Sequence, residues 1–123
     1  GLRDGPRGVE VLLVTSLGRG RWVLPKGWPM KGRTLAGAAL REAWEEAGVR
    51  GAVQEAPVGA YVYDKLRKSG LSVPCRVEVF RVVVTELAAD WPEARKRRRI
   101  WVPLPEAAAM VDEPGLAALL RAP

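Results

Sequence analysis

Apolar and polar positions along this chain repeat with two periods, one typical of helices and one typical of strands. Between residues 35 and 47, apolar side chains recur every three to four positions and share one arc of a helix: Ala36, Leu40, Ala43, Trp44 and Ala47. Thr34 can cap the start of this helix with its hydroxyl, and Gly48 is a natural stop at its end. The pattern predicts a helix over residues 35–47 that packs on a core through one face.

Strand-like runs surround this helix. The run VEVLLVTS at residues 9–16 is apolar and rich in β-branched residues, as expected of a strand. The full prediction places strands at 9–16, 21–24, 52–63 (with room for a break at 56–57), 73–87 and 100–104, short helices at 105–111 and 113–121, and loops at 1–8 and 88–99. No repeat or low-complexity linker divides the chain, so a single domain over residues 1–123 is predicted. Strands around a central helix, followed by terminal helices, predict an α/β (α+β) sandwich with a mixed sheet.

The composition narrows the chemistry that the chain can use. Of its 123 residues, 48% are hydrophobic, which suits a globular domain rather than a disordered chain. There is no histidine, so imidazole is excluded as a base or metal ligand, and any metal must be held by oxygen. Cys75 is the single cysteine, which excludes an intrachain disulfide and predicts a reducing, cytoplasmic location. No segment approaches about 18 continuous apolar residues and no signal peptide is visible, so no membrane association is expected. Whether the chain is part of a longer protein stays open.

Three acidic residues gather on one face of the predicted helix. At about 100° per residue, Glu42, Glu45 and Glu46 fall within an arc of roughly 100°. Like charges on adjacent turns repel one another, and Arg41 offsets only one of them. Such a cluster suits a hard divalent cation that prefers oxygen ligands, such as Mg²⁺. The alternative, from this run alone, is a solvated acidic face on a surface helix.

The stretch at residues 27–49 resembles the Nudix box, G-x5-E-x7-R-E-U-x-E-E-x-G-U, in which U is a bulky apolar residue. Gly27 and the run REAWEEAGV at residues 41–49 match the box and have the spacing that it requires. Seven of the nine defined positions match. Two differ: Arg33 stands where the box has its first glutamate, and Ala43 is small for its apolar position. The chain is therefore similar to members of the Nudix hydrolase family.

This resemblance implies a fold, a reaction and a set of metal ligands. Family members have a mixed sheet between helices, with a strand ahead of the first one predicted here. They hydrolyse a nucleoside or other organic diphosphate linked to a further group, by attack of water on phosphorus. They use divalent metals, so Mg²⁺ or Mn²⁺ is the expected cofactor. By resemblance, the metal ligands are Glu42 and Glu46, with Glu45 as a ligand or water-linked partner and Gly27 through its carbonyl.

The other catalytic roles are less closely defined by the motif. Arg41 matches the box arginine, which orients a box glutamate in the family. Because Arg33 occupies its usual partner's position, Arg41 must pair elsewhere, and Arg33 either contacts substrate phosphate or is a solvated loop residue. The general base is either a box glutamate, Glu45 or Glu46, or an acid from elsewhere in the chain. Of the latter, Glu78 is preferred, because an acid inside an apolar strand is costly unless it is paired or bound to metal. The remaining candidates are Asp64, Glu86 and Asp90.

Basic residues form three groups that favour a polyanionic substrate, in a chain of formal net charge +6. The groups are Lys26, Lys31 and Arg33; Lys65, Arg67 and Lys68; and the run at residues 95–99. The residues predicted to contact substrate are Lys26, Lys31, Arg33, Arg67 and Arg98. The alternative is that each group is only a solvated charge run.

The sequence on either side of the box is similar to one branch of the family. The segments Leu24-Pro25-Lys26-Gly27, Ile100-Trp101-Val102 and Leu104-Pro105-Glu106-Ala107-Ala108 resemble the diphosphoinositol polyphosphate and diadenosine polyphosphate hydrolases. Hydrolysis of ADP-ribose or a sugar nucleotide, removal of an RNA 5′-pyrophosphate, and a non-catalytic module that binds polyanions or nucleic acid remain open. The favoured partner is a phosphorylated small molecule rather than nucleic acid, and no oligomeric state is predicted. Four aromatic residues could stack on a base or pack in the core: Trp28, Tyr61, Tyr63 and Trp91.

Overall fold

The computed structural model describes residues 1–6, 8–18, 20–26, 32–66 and 69–121. Within these ranges the chain forms eight strands and three helices. In chain order they are β1 Leu2–Gly5, β2 Gly8–Thr15, β3 Trp22–Val23, α1 Leu35–Ala47, β4 Val49–Val53, β5 Gly59–Leu66, β6 Ser72–Val79, β7 Val82–Leu87, β8 Arg99–Pro103, α2 Leu104–Met110 and α3 Pro114–Arg121. None of the described helices is long and apolar enough to cross a membrane.

The larger sheet is mixed and is centred on β2. One edge of β2 pairs with β1 and then, nearer its end, with β3, while its other edge pairs with β8. These pairings are antiparallel, whereas β1 pairs parallel to β7, and β4 closes the order β3-β2-β1-β7-β4. β5 and β6 form a separate two-stranded antiparallel sheet. The mixed sheet predicted from the sequence is confirmed.

Both faces of β2 are buried. Successive side chains of a strand point to opposite sides of the sheet, and each set packs in a different apolar cluster. Leu12 and Val14 pack in a cluster with apolar residues of α1, β4 and β7. Val11 and Leu13 pack in a second cluster with residues of β5, β8, α2 and α3. The sheet therefore lies between α1 on one side and the other two helices on the other, as the predicted sandwich requires.

Two sequence predictions about strands were wrong, and a third was wrong only in its bounds. Residues 1–8, predicted as a loop, contain β1, whose Leu2 pairs with Val11 despite the Gly- and Arg-rich composition. The run predicted at 52–63 does contain the break for which the sequence left room at 56–57, but its bounds differ: β4 starts directly after α1 at Val49 and ends at Val53, and β5 starts at Gly59. The predicted strand at 73–87 is also two strands, because the chain leaves the small sheet at Phe80–Arg81 and enters the large sheet as β7.

The helix α1 is the best-predicted element, and both of its ends are capped by the expected residues. The Thr34 hydroxyl accepts a hydrogen bond from the Gly37 N–H at 3.0 Å. Gly48 adopts a left-handed conformation, with φ of 69°, and its N–H donates to the Trp44 carbonyl at 2.9 Å. A side chain at Gly48 would also meet Arg99 Nη1 at 2.8 Å and Trp91 Cβ at 3.1 Å. Only glycine therefore fits both the conformation and the space at the end of α1.

We expect Gly48→Ala to destabilise the protein by at least about 1 kcal/mol more than Gly70→Ala. Both glycines have positive φ, but no atom lies within 4 Å of a Cβ at Gly70, so the control variant carries the conformational cost alone. Urea unfolding of the two variants and the parent measures the difference. Equal loss in both variants would show that the contacts of Arg99 and Trp91 do not constrain this position.

Candidate active site

The centre of the site is a carboxyl pair on α1. Glu46 is buried, with 4% of its side chain exposed, and Glu42 lies one turn earlier on the same face. Burial is the main cause that raises the pKa of Glu46 to about 8, and a hydrogen bond to the Glu42 carboxylate adds to it. The negative charges of Glu42 and Glu93 raise this pKa further, whereas the Arg97 guanidinium lowers it. Together these effects favour the protonated form of Glu46 in the absence of a cation.

Arg97 contacts the buried member of this pair, Glu46. Its side chain is 11% exposed, and its Nη2 lies 3.4 Å from Glu46 Oε1. Its Nε donates to Glu93 Oε1 at 2.8 Å, and its Nη1 donates to the Thr15 carbonyl at 2.9 Å. Removing one partner of a buried ion pair typically costs about 3–5 kcal/mol, because the other charge is left uncompensated. Arg97 is thus a positioning residue that fixes Glu46 relative to the end of β2.

The loop at residues 88–98, called here the arginine loop, docks on the C-terminal half of α1. The Trp91 indole N–H donates to the Glu46 carbonyl at 2.9 Å, and the Glu93 N–H donates to the Glu45 carbonyl at 3.1 Å. At the start of β8, Arg99 donates to the Ala47 carbonyl at 2.8 Å and stacks on the Trp91 ring at 3.9 Å. The positive charge of Arg99 also interacts favourably with the negative C-terminal end of the helix dipole. The loop therefore fixes the helix turn that carries Glu45 and Glu46.

This docking divides the basic run at residues 95–99. Arg97 and Arg99 point inward, to the carboxylate and carbonyl groups described above. Arg95, Lys96 and Arg98 remain exposed. Arg98, predicted to contact substrate, has its guanidinium 5.7 Å from the centre of the Trp22 ring. A substrate could therefore meet only part of the run.

Arg41 pairs with Glu45, since its Nε donates to Glu45 Oε1 at 2.8 Å. The sequence left the partner of Arg41 open because Arg33 replaces the first glutamate of the box. The structure places the exposed Arg33 beside Arg41 and Trp44 in a shallow cavity. At about 100° per residue, that face of the helix points away from Glu42 and Glu46. Arg33 and the carboxyl pair are therefore not brought together.

Two other predicted residues lie on separate elements. Lys26 contacts Glu113 at 3.3 Å and lies 3.9 Å from the centre of the Tyr63 ring. Glu78 is half-buried on β6, opposite Ala60, and the described hydrogen bonds and ion pairs include none between Glu78 and α1. Gly27, Lys31 and Arg67 lie outside the described residues. The roles assigned to these five residues stay predictions.

The donor chemistry of the carboxyl pair fits a hard divalent cation. Two carboxyl groups that share a proton can instead share a cation, and Mg²⁺ commonly takes one or two carboxylates together with water and substrate phosphate. Within the described ranges, no three Asp, Glu or Cys side chains converge as a ready-made metal site. Glu42 and Glu46 would therefore hold the ion together with oxygen atoms from outside α1.

Three side chains of this site were not predicted in these roles from the sequence: Trp91 as a hydrogen-bond donor to the helix, Glu93, and Arg97 as a buried partner. The spacing of Glu93 and Arg97 is the signal that could have revealed these two residues. A Glu-Arg pair four residues apart is typical of a helical turn with its own ion pair. The loop contains such a turn, and the ion pair between Glu93 and Arg97 holds the Arg97 side chain away from solvent.

Residues 2–122 match the family model described as NUDIX domain, and the chain belongs to the Nudix family. The chain is 39% identical over 105 residues to Nudix hydrolase 12, mitochondrial, of Arabidopsis thaliana. The matched region covers 80% of this chain and 50% of that protein. It is 37% identical over 101 residues to diphosphoinositol polyphosphate phosphohydrolase 3-alpha of Mus musculus, covering 80% of this chain and 57% of that protein. It spans about half the length of these curated relatives.

The fold is also similar to a crystal structure of Ap4A hydrolase from C. elegans. The TM-score is 0.64, over 98% of this chain and 87% of that chain. The sequences are 22% identical, so this likeness concerns the fold. The family predicted from the box and the fold predicted from the element pattern are both confirmed.

We expect the metal-free protein to lose stability as the pH rises from about 5 to about 8. The pKa of Glu46 is about 8 in the folded protein and about 4.5 ordinarily, so the folded state binds more protons within this window. The free energy of unfolding must then fall as the pH rises. Urea unfolding of the parent and of Glu46→Gln, which cannot release this proton, measures the effect as a difference. The same pH dependence in both proteins would contradict the assignment.

Proposed function

We propose that this chain hydrolyses a pyrophosphate linkage in a densely phosphorylated small molecule, such as a diphosphoinositol polyphosphate or a diadenosine polyphosphate. The observation that carries the proposal is the carboxyl pair on the helix of the Nudix box, in which the half-buried Glu42 lies beside the buried Glu46 that Arg97 contacts. A buried acid with a raised pKa, such as Glu46, is a costly feature for a surface helix and is typical of functional sites. The solvated acidic face considered from the sequence does not account for it.

Each residue of the site has a defined part in the proposed reaction. Mg²⁺ or Mn²⁺, when bound, would neutralise phosphate charge and lower the pKa of a water molecule. Glu42 and Glu46 would hold the ion, with the Gly27 carbonyl as a further ligand. Glu45, which accepts a hydrogen bond from Arg41 and is less buried than Glu46, would be the box glutamate that accepts a proton from water. Arg97 would keep the Glu46 carboxylate in place as its proton is replaced by the ion.

The proposed substrate class follows from charge and from the relatives. The exposed residues Arg95, Lys96 and Arg98 lie on the loop that docks against the carboxyl pair, so a polyanion bound there would meet them. A curated relative is called a diphosphoinositol polyphosphate phosphohydrolase, and a structural neighbour is called an Ap4A hydrolase. Dense polyanions are common to both names. We therefore favour them over ADP-ribose, a sugar nucleotide or an RNA 5′-pyrophosphate.

A second candidate is a non-catalytic module that binds polyanions. The observation in its favour is that Glu45 and Glu46 each pair with an arginine, and the described residues offer no group of three metal-ligating side chains. Such a module would bind phosphate compounds without releasing products. Product release that depends on divalent metal separates the two functions.

We expect Glu46→Gln to lower kcat by on the order of 10²-fold or more on any substrate that the parent hydrolyses. The change keeps the size of the side chain but removes the charge that would hold the metal. The substrate panel is a diphosphoinositol polyphosphate, a diadenosine polyphosphate and ADP-ribose, each with Mg²⁺ or Mn²⁺. Glu55→Gln, the same change at an exposed position between β4 and β5, is the matched control.

Near-normal turnover of Glu46→Gln, with an unchanged circular dichroism spectrum, would refute the role of the carboxyl pair. Binding of these compounds by the parent, with no product formed at any metal concentration, would favour the non-catalytic module. Hydrolysis of ADP-ribose alone would keep the reaction and reject the proposed substrate class.

We expect kcat/KM to fall with added salt more steeply for the polyphosphates than for ADP-ribose. The Debye length falls from about 14 Å to about 7 Å between ~0.05 and ~0.2 M salt, so attraction by exposed basic residues is screened. Replacing Arg95, Lys96 and Arg98 with Ala should flatten this difference with little change in kcat. Arg97 and Arg99 are kept because they hold α1. The control replaces two exposed arginines on other elements, Arg76 and Arg121. Equal salt slopes for all substrates in the parent would contradict the prediction.

A further inference from the structure

The outer face of α1 carries a second feature that the proposed reaction does not use. A cavity of about 340 Å³ is lined by Arg33, Gly37, Leu40, Arg41, Trp44, Val49, Arg50 and Gly51. The α1 residues that line it recur at intervals of three and four, so they share one helix face. Glu42 and Glu46 lie on the opposite face. The cavity is therefore separate from the carboxyl pair.

Three guanidinium groups border this cavity, and their charges are only partly balanced. Arg41 pairs with Glu45 through Nε at 2.8 Å. Arg50 lies 3.9 Å from Glu86 and stacks over the Trp44 ring at 4.0 Å. Arg33 forms no hydrogen bond or ion pair with any described residue. The cavity thus presents three positive groups against two carboxylates, and most of the guanidinium N–H groups face no partner in the described structure.

We propose that this cavity binds the phosphate group of a small phosphorylated compound. Arginine presents N–H groups in a planar fork that matches phosphate oxygens, and three such forks around one cavity can bind one anion together. A volume near 340 Å³ is at the lower end of the range for small-ligand sites, which suits phosphate or a small phosphate ester. Arg50 already covers the Trp44 ring, so the recognised group is the phosphate rather than a base.

The replacement of the box glutamate by Arg33 gives this site its charge. A glutamate at this position would add a negative charge beside Arg41 and would compete with an anion for it. Arg33 instead adds a guanidinium and leaves Glu45 as the partner of Arg41. A phosphate bound by Arg33 and Arg41 would compete with Glu45 for the same guanidinium. Phosphate binding is therefore linked to the Arg41–Glu45 pair.

Calorimetric titration of the full chain with inorganic phosphate, at low ionic strength and without divalent metal, tests this site. We expect saturable binding with Kd on the order of 1 mM or tighter, and about 10-fold or greater weakening in Arg33→Ala and in Arg50→Ala. Arg76→Ala, which removes an exposed arginine of β6, should bind like the parent. Arg50 has no part in the proposed reaction, so Arg50→Ala should also keep the parent's kcat.

Two further variants distinguish this cavity from the carboxyl pair. Glu45→Gln should tighten phosphate binding, because it frees Arg41 from its competing carboxylate. Glu46→Gln should leave the affinity unchanged, because Glu46 lies on the other face of the helix. Tightening in Glu46→Gln but not in Glu45→Gln would place the anion at the carboxyl pair and overturn the proposal.

The proposal is also overturned if the parent binds no phosphate below about 10 mM, or if Arg33→Ala and Arg50→Ala bind as the parent does. Binding of a single-stranded oligonucleotide without binding of phosphate would identify a nucleic-acid surface instead. Because the two arginines are exposed, the variants should keep the parent's circular dichroism spectrum.

Discussion

The contact between the Arg97 guanidinium and the Glu46 carboxyl group is the interaction on which the site depends. Arg97 joins the end of β2, the carboxyl pair of α1 and the turn that contains Glu93. The charged form of Glu46 would be unstable in this position without the Arg97 guanidinium, which Glu93 and the Thr15 carbonyl hold in place. Through these contacts Arg97 links Glu46 of α1 to the end of β2. Thr15 supports the same arrangement, since its hydroxyl accepts from the Arg98 N–H at 2.9 Å.

This arrangement gives α1 two chemically different long faces. The apolar face packs on β2, β4 and β7 through small side chains such as Ala43 and Ala47, which let the helix approach the sheet closely. Glu46 borders that face, and this is why it is buried while Glu45 is not. On the outer side, Arg33, Arg41 and Arg50 lie around Trp44. The helix thus separates a buried acidic group from an exposed basic one by its own width.

The sequence predicted what is encoded over short distances and missed what depends on distant partners. The bounds of α1 followed from Thr34, the apolar period and Gly48, and all three act within the helix itself. β1 was missed because its pairing with β2 overrides a composition typical of loops. The break at Phe80–Arg81 was missed because the apolar run continues through it, while the chain changes sheets.

The same contrast holds within the site. The motif located Glu42, Glu45 and Glu46, but the contacts that hold Glu46 come from the arginine loop, about fifty residues further along the chain. A run of five basic residues indicated a solvated surface or a substrate contact. Nothing in that run distinguishes Arg97 and Arg99, which bind the helix, from Arg98, which does not. The turn around Glu93 points Arg97 inward, and the pairing of β8 with β2 places Arg99 beside the end of α1.

The central position of β2 has a consequence for how the chain reaches this structure. Its partners β1 and β3 are close to it in sequence, but the partner of its other edge is β8, with Val11 opposite Val102. Contacts between such distant residues form slowly, because a long loop must close before they contribute. A newly synthesised chain must therefore carry a very apolar strand with one unpaired edge until most of its length is available. Such edges associate readily with other chains, so the folding yield should be most sensitive to protein concentration during this interval.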